Sequence, residues 1–295
     1  MARENPFAPR PDLKIWIDGE LVPARQACIS VFDHGLLYGD GCFEGIRVYN
    51  GRIFKENEHV RRLLESCKAL RLDPGRSTAE IKQAMAEAMK ANNLTGDGYI
   101  RLVVTRGVGS LGLSIHHTAC PSMIVIAAAI QLYPPGLYET GLTCITSSFT
   151  RNHPNSISPR IKSLNYLNNI LAQVEARDAG ADEAVMLNAE GRVAECSGDN
   201  IFAVRDGVIY TPPTSEGSLE GVTRGHVMEL ARANGYTVIE KNMVRHDLYV
   251  ADECFLTGTA AEVIAMVKLD HRPIGDGKPG PITKRLKELF AASVR

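Results

Sequence analysis

The chain has almost no excess of either charge. Its 33 Lys and Arg against 34 Asp and Glu leave a formal net charge of −1, which removes the electrostatic case for nucleic acid or an anionic membrane surface. Basic pairs such as Arg61-Arg62 are local and read as solvated side chains. No apolar run approaches the length of a membrane span. The longest, residues 123–130, reads as a buried strand. The spacing C-x-x-C is missing as well. The seven cysteines (Cys28, Cys42, Cys67, Cys120, Cys144, Cys196, Cys254) are scattered and odd in number, which argues against a zinc site or a disulfide frame and fits reduced thiols. Met1-Ala2-Arg3-Glu4-Asn5-Pro6 lacks the apolar core of a secretory signal, so a cytoplasmic location is expected. Without such a signal the acceptor pattern Asn93-Leu94-Thr95 reads as chance. There is no internal repeat and no low-complexity segment.

What is present is ordinary in bulk. The 295 residues are 44% hydrophobic and 23% charged, enough to bury the core of one large or two medium globular domains. The first 130 residues alternate strand and helix signals. Hairpins are predicted on Asp18-Gly19 and Asn50-Gly51, and helices over 58–70 and 77–91, the second opening on the capping box Ser77-Thr78-Ala79-Glu80. Strands are predicted over 99–105 and 122–130. Residues 131–141, with Pro134-Pro135-Gly136, form the expected linker. Beyond it come strands at 142–147 and 183–187, a helix over 165–179, and a hairpin at 200–211 turning on Asp206-Gly207. A helix over 222–234, strands at 237–241 and 253–256, and a last helix over 282–292 follow. The expected organisation is a small α+β domain (1–130), a linker (131–141) and a larger α+β domain (142–295), with the chemistry in the crevice between the halves.

Three stretches carry chemistry. Lys162-Ser163-Leu164-Asn165-Tyr166 supplies an amine and a phenol, Glu195-Cys196-Ser197-Gly198-Asp199-Asn200 a carboxylate near an Asn, and Gly221-Val222-Thr223-Arg224 a Gly-Thr helix start. These are the parts needed to hold pyridoxal 5′-phosphate. The amine forms the Schiff base, the carboxylate partners the pyridine nitrogen, and the helix start takes the phosphate. Tyr166 stands four residues from Lys162, which on a helix places both side chains on one face. Gly258-Thr259-Ala260-Ala261 follows a strand and offers a turn with exposed amides, and Arg62 is a guanidinium able to clamp phosphate. Each has a plainer meaning alone: a surface lysine, a core aromatic, an exposed strand-end acid, an ordinary helix start or turn, a solvated arginine. The combination and its order favour the cofactor.

Two patterns point elsewhere and are set aside. Gly107-Val108-Gly109-Ser110-Leu111-Gly112 fits G-x-G-x-x-G after a strand, but a dinucleotide site requires a helix next. Residues 113–121 show no helical periodicity and end in a proline, so a flexible loop bordering the active site is expected. The opposing reading is a nucleotide-dependent oxidoreductase. His116-His117 is a tempting metal pair, yet adjacent side chains diverge and no third ligand stands near; no metal is expected.

The chain resembles the fold-type IV pyridoxal-phosphate enzymes, and among them most the branched-chain amino-acid aminotransferases. The resemblance runs from Trp16 to about Leu286. Its most specific stretches are 38–47 (Tyr-Gly-Asp-Gly-Cys-Phe-Glu-Gly-Ile-Arg), Tyr99-Ile100-Arg101, 162–169, 195–202, 219–224 and 257–262. It implies a two-domain α+β fold like that of D-amino-acid aminotransferase. Lys162 would form the Schiff base and shuttle the proton between substrate Cα and the cofactor. Glu195 would pair with the pyridine nitrogen and Tyr166 with the ring oxygen. Arg62, the Val222 and Thr223 amides and the Thr223 and Thr259 hydroxyls would bind phosphate. Tyr99 and the Thr259-Ala260 amides would receive the substrate carboxylate, Phe43 and Tyr38 would wall the side-chain pocket, and Arg101 would read the distal carboxylate of 2-oxoglutarate or glutamate.

The implied activity is ping-pong transamination of L-leucine, L-isoleucine and L-valine with 2-oxoglutarate. A homodimer or larger homo-oligomer is implied, a loop of one subunit bordering the other's site. D-amino-acid aminotransferases share the fold and the stretch 161–165, and Thr105-Arg106-Gly107 is similar to theirs, so D-amino-acid transamination stands as the alternative. Their Arg-x-His carboxylate trap is absent here, and aminodeoxychorismate lyases, on the same scaffold, have no use for Arg101.

Overall fold

The structure, a computed structural model, describes Arg10 and residues 12–129, 133–134 and 136–295. The opening hexapeptide, Ile130 of the expected strand, and Gln131, Leu132 and Pro135 of the expected linker lie outside the described residues. Chain contacts divide into two units. The first takes residues to 129 together with Lys162–Leu164; the second takes residues from 133 to Ile161 and Asn165–Arg295.

Two dipeptides start the first unit. Asp18-Gly19 and Asn50-Gly51 have positive φ at both residues (52° and 110°, 50° and 73°), the geometry a two-residue hairpin needs. They join β1 (Lys14–Ile17) to β2 (Glu20–Pro23) and β3 (Gly41–Tyr49) to β4 (Arg52–Ile53). A short α1 (His34–Tyr38) precedes β3, capped by the Asp33 carboxylate and closed by Gly39 at φ 69°. Then follow α2 (Glu56–Ala69), α3 (Thr78–Ala91), β5 (Gly98–Thr105) and β6 (Ser122–Ala128). α3 opens on the expected capping box, with Ser77 and Glu80 satisfying each other's backbone N–H.

The strands form one antiparallel sheet in the order β2-β1-β6-β5-β3-β4. Strand alternation gives it two unlike faces. Cys42, Ile46, Val48, Ile100, Leu102, Val104, Met123 and Val125 join Val60, Leu63 and Cys67 of α2 and Ile81 and Met85 of α3 in one buried cluster. The intervening residues, among them Phe43, Tyr99 and Arg101, are half-buried on the other face.

The second unit begins with α4 (Leu137–Thr140), β7 (Leu142–Thr146), α5 (Leu167–Asp178), β8 (Glu183–Leu187), β9 (Val193–Cys196), β10 (Asn200–Arg205) and β11 (Val208–Thr211). It continues with α6 (Val222–Ala233), β12 (Val238–Glu240), α7 (Arg245–Tyr249), β13 (Glu253–Gly258), β14 (Glu262–Leu269), β15 (Arg272–Pro273) and α8 (Pro281–Ser293). Its mixed sheet runs β12-β11-β10-β13-β14-β7-β8-β9, with β15 on β14. Inside it Phe202 and Phe255 stack with centroids 4.7 Å apart. α8 starts on a buried carboxylate: Glu253 accepts from the Ile282 and Thr283 amides at 3.0 and 2.8 Å, which satisfies two of the amides that a helix start leaves over.

Two local expectations change. The expected helix from Asn165 begins only at Leu167, with Tyr166 as its N-cap, so the spacing of Lys162 and Tyr166 is not that of a helix face. Lys162–Leu164 is instead extended: the Phe43 amide donates to the Lys162 carbonyl and the Leu164 amide to the Gly41 carbonyl, both at 2.9 Å. Residues 107–118 form a pinned loop, tied by bridges Asp33↔Val108 and Gly109↔Thr118, and its only helical piece is a single 3-10 turn at Ile115–His117. That rules out the helix a dinucleotide site requires.

Candidate active site

In the first unit four of the expected residues, Phe43, Tyr99, Arg101 and Lys162, gather on the half-buried sheet face. Gly41 makes the approach of Lys162–Leu164 possible, since a Cβ there would lie 2.7 Å from Leu164 Cδ1 and 2.5 Å from the Val104 carbonyl oxygen. Ser66 of α2 completes the mooring, its Oγ accepting from the Lys162 amide at 3.2 Å. The amine then stands over the Phe43 ring, 4.6 Å from its centroid. Arg101 lies over the same ring at 4.5 Å and over Tyr99 at 5.6 Å. Both are distances at which a ring quadrupole attracts a cation.

Gly45 supplies the room for Tyr99: a Cβ at 45 would lie 2.0 Å from the phenol oxygen. Phe43, Tyr99, Arg101 and Lys162 are thus brought together. Tyr38 belongs to a different group: exposed at the end of α1, edge-on to His34, its phenol oxygen accepts from the Gly112 amide at 2.9 Å.

Arg62 is on the opposite, core face of the same sheet, buried rather than solvated. Its Nε and Nη2 donate to the two oxygens of Glu44 at 2.7 Å each, and His59 Nδ1 lies 2.8 Å from Glu44 Oε2. Burial drives the Glu44 pKa up, but the Arg62 charge and the hydrogen bonds of Arg62 and His59 outweigh it, and the carboxyl is held at about 2. Burial lowers the His59 pKa against the pull of Glu44.

In the second unit Glu195 is buried on β9, not exposed at a strand end. Arg151 Nε donates to Oε1 at 2.8 Å; the Leu219 amide and Asn200 Nδ2 donate to Oε2 at 2.9 and 3.2 Å. Arg151 is itself steadied by the Asn169 side-chain oxygen at 3.0 Å, whose amide donates to the Ser197 carbonyl at 2.7 Å. Asn200 also donates to the Leu219 carbonyl at 3.0 Å, which ties the carboxylate to the segment entering α6.

That helix starts bare. Gly221 is the N-cap with no side-chain cap bond, Val222 is half-buried and Thr223 buried. A Cβ at 221 would meet Asn200 Oδ1 at 2.0 Å, so only glycine fits there. Thr259 and Ala260 lie half-buried in the turn between β13 and β14, and Asn200 pairs in register with Thr257 just before it. The Ala260 carbonyl accepts from the Tyr138 phenol at 3.4 Å. Tyr166 is half-buried at the start of α5.

Sequence reasoning missed Glu44, His59, Ser66, Arg151 and Asn169. One signal was available: His59, Arg62 and Ser66 recur at three- and four-residue steps, a polar stripe beside the apolar face of α2. Arg151 and Asn169 left none, because their link to Glu195 is long-range. Among the described residues no cluster of His, Cys, Asp and Glu is arranged to hold a metal ion.

The chain matches the family model described as amino-transferase class IV over residues 41–269. A branched-chain-amino-acid aminotransferase of Pseudomonas aeruginosa is 42% identical over 287 residues, covering 94% of this chain and 91% of that one. Among solved structures, the T.th. branched-chain amino acid aminotransferase with pyridoxamine 5′-phosphate has a TM-score of 0.91 at 40% identity, covering 96% of this chain and 94% of that one. The branched-chain aminotransferase of Thermoproteus uzoniensis with norvaline has a TM-score of 0.90 at 39% identity over the same shares.

Proposed function

The chain belongs to the class IV aminotransferase family, and from that premise we propose how its residues divide the work of a pyridoxal-phosphate-dependent branched-chain-amino-acid aminotransferase. The reaction moves the amino group of L-leucine, L-isoleucine or L-valine to 2-oxoglutarate in two half-reactions. The relatives and structures named above are all branched-chain enzymes and lend no support to the D-amino-acid alternative.

The residues present fit the cofactor. A buried carboxylate offers about four acceptor positions, and Glu195 uses three of them, leaving one for a pyridinium N–H. The first turn of α6 presents backbone N–H groups with no side-chain cap, over a glycine whose Cβ would be obstructed, as an anion-binding helix start requires. Ser218 Oγ and Thr257 Oγ1 are buried without a hydrogen-bond partner among the described residues, so polar groups are in reserve in that unit. When bound, pyridoxal 5′-phosphate supplies the electron sink that lets a Cα–H bond break and carries nitrogen between the half-reactions.

Each side chain then has a task. Lys162 holds the cofactor through Nζ and, once the substrate has taken its place, moves the proton to and from Cα. Glu195, oriented by Arg151 and Asn200, keeps the proton on the pyridine nitrogen, and Tyr166 donates to the ring oxygen. Arg62, the Val222 and Thr223 amides and the Thr223 and Thr259 hydroxyls bind phosphate. Tyr99 and the Thr259-Ala260 amides take the substrate carboxylate. Phe43 walls the side-chain pocket, and Tyr38, which stands with His34 and Gly112 rather than with Phe43, would wall it from the loop that one subunit lends to the other. The observation that supports the double substrate best is Arg101 laid on Phe43 and Tyr99. A guanidinium stored on ring faces leaves an apolar lining for leucine and a cation for the distal carboxylate of 2-oxoglutarate.

A cytoplasmic homodimer or larger homo-oligomer completes the proposal. It is supported by seven cysteines without a disulfide and by Leu167, Ile170, Leu171 and Val174, exposed at helical spacing on α5, surface that a second copy would cover. No helix among the described residues is long and apolar enough to cross a membrane.

The test is the visible spectrum of the purified protein with added pyridoxal phosphate, before and after L-leucine and, separately, D-alanine. Colour discharged by L-leucine alone is expected. Discharge by D-alanine alone would move the chain to the D-amino-acid enzymes, and a protein that stays colourless would overturn the cofactor assignment.

A further inference from the structure

The core face of β3 carries one residue foreign to a core. Position 44 lies between Cys42 and Ile46, both fully buried in the apolar cluster, yet it is a glutamate with no exposed surface. A buried carboxylate persists only where partners satisfy it. Here α2 brings two: Arg62, through paired 2.7 Å bonds from Nε and Nη2, and His59, 2.8 Å from Oε2.

Packing alone does not account for this group, because apolar side chains in place of a buried ion pair are often neutral or stabilising. What the pair provides is direction. A guanidinium is a rigid planar fork of five N–H donors, so fixing Nε and Nη2 on one carboxylate fixes the plane and aim of its remaining edge.

We propose that Glu44 is a positioning residue, holding the Arg62 guanidinium in the plane from which its other edge meets the phosphate of the bound cofactor. His59 sets the rotation of the carboxylate. Its ring, kept neutral by burial, gives the Nδ1 hydrogen to Glu44, while Nε2 has no partner among the described residues. The proposal rests on the assignment of Arg62 to phosphate made above. Glutamine at 44 keeps the shape but turns an N–H against one of the guanidinium nitrogens, donor facing donor, and the fork must rotate away.

The experiment compares dissociation constants of pyridoxal phosphate and of pyridoxal, which lacks the phosphate, for the full chain stripped of cofactor. The readout is the ratio of the two. A merely structural role would weaken both ligands alike and leave the ratio alone. Glu44→Gln is expected to reduce the preference for the phosphorylated ligand about tenfold or more, as loss of an orienting partner commonly does. An unchanged or larger preference would overturn the proposal.

Arg62→Lys keeps the charge and loses the fork, so it should lose a similar share of the preference. If Glu44→Gln does not fold, this variant decides, and a lysine that keeps the wild-type ratio overturns the proposal. The double change Glu44→Leu with Arg62→Leu removes the buried pair together and sets the floor. Were that floor equal to wild type, the assignment of Arg62 to phosphate would itself be wrong, a result distinct from failure of Glu44 alone.

Discussion

The six-stranded sheet carries an arginine on each face and holds the two by different chemistry. On the core face Arg62 is buried and gripped by two 2.7 Å bonds to Glu44. On the other face Arg101 is half-buried and lies on the rings of Phe43 and Tyr99. Neighbouring residues of β3, Phe43 and Glu44, supply the two kinds of partner, because a strand sends successive side chains to opposite faces. A bidentate carboxylate fixes direction; a ring face attracts a cation without fixing its orientation. The first suits a ligand group that stays in place through both half-reactions. The second suits a pocket that must receive an apolar side chain and then a carboxylate.

Truncating both arginines separates these roles with the largest expected effect. Arg62→Ala leaves Glu44 buried without its counter-charge, held by His59 alone, a change that typically costs about 3–5 kcal/mol of stability. Arg101→Ala removes a half-buried side chain from ring faces, and its stability should fall by no more than about 1 kcal/mol. Activity should reverse the order of interest: kcat/KM for 2-oxoglutarate is expected to drop roughly 100-fold, the scale of a lost charge-assisted contact, with that for L-leucine nearly kept. Urea unfolding and the two half-reactions measured separately check both. Equal losses in the half-reactions would remove the role given to Arg101.

Acidification separates the faces next. The folded pKa of Glu44, about 2, lies below its ordinary 4.5, so its stabilisation is complete above pH 4.5 and lost as pH falls toward 2. The full loss amounts to about 3 kcal/mol. His59, also lowered, acts in the same direction from below pH 6.5, since the unfolded ring takes a proton more readily. The stability lead of the wild type over Glu44→Gln should be constant above pH 5 and shrink below 4.5, while Arg101→Ala should follow the wild-type acid profile. A lead that persists at pH 3 would show that the pair is not the acid-sensitive element.

How much of this was legible depended on range. The Asx-Gly turns at 18, 50 and 206 and the capping box at Ser77 are read within four residues, and each appears as expected. The strand β14, although apolar, went unread after the Gly-Thr-Ala-Ala turn, as did β9, which buries Glu195. The residues proposed for the site stand out by type and motif, but their supports do not. Arg151 reaches Glu195 across 44 residues and Ser66 reaches Lys162 across 96, pairings that no local pattern encodes. Lys162 shows the cost most plainly: its spacing to Tyr166 imitates a helix, whereas pairing with β3 draws residues 162–164 into an extended bridge.

The smallest effect tests whether the ring face depends on a missing side chain. Gly45 stands opposite Arg101 in register, and Tyr99 places its phenol oxygen 2.0 Å from where a Cβ at 45 would be. A methyl there cannot coexist with that ring position, but the phenol end of Tyr99 can swing away with little disturbance to the core face. Gly45→Ala is therefore expected to leave stability within about 1 kcal/mol while raising KM for L-leucine about tenfold, the scale of one lost hydrogen bond to a charged group. Tyr99→Phe should raise it similarly, and the two changes together should do no more than either, because both remove the same contact. Additive losses would mean that Gly45 makes room for something other than Tyr99, and the carboxylate role of that phenol would have to be reassigned.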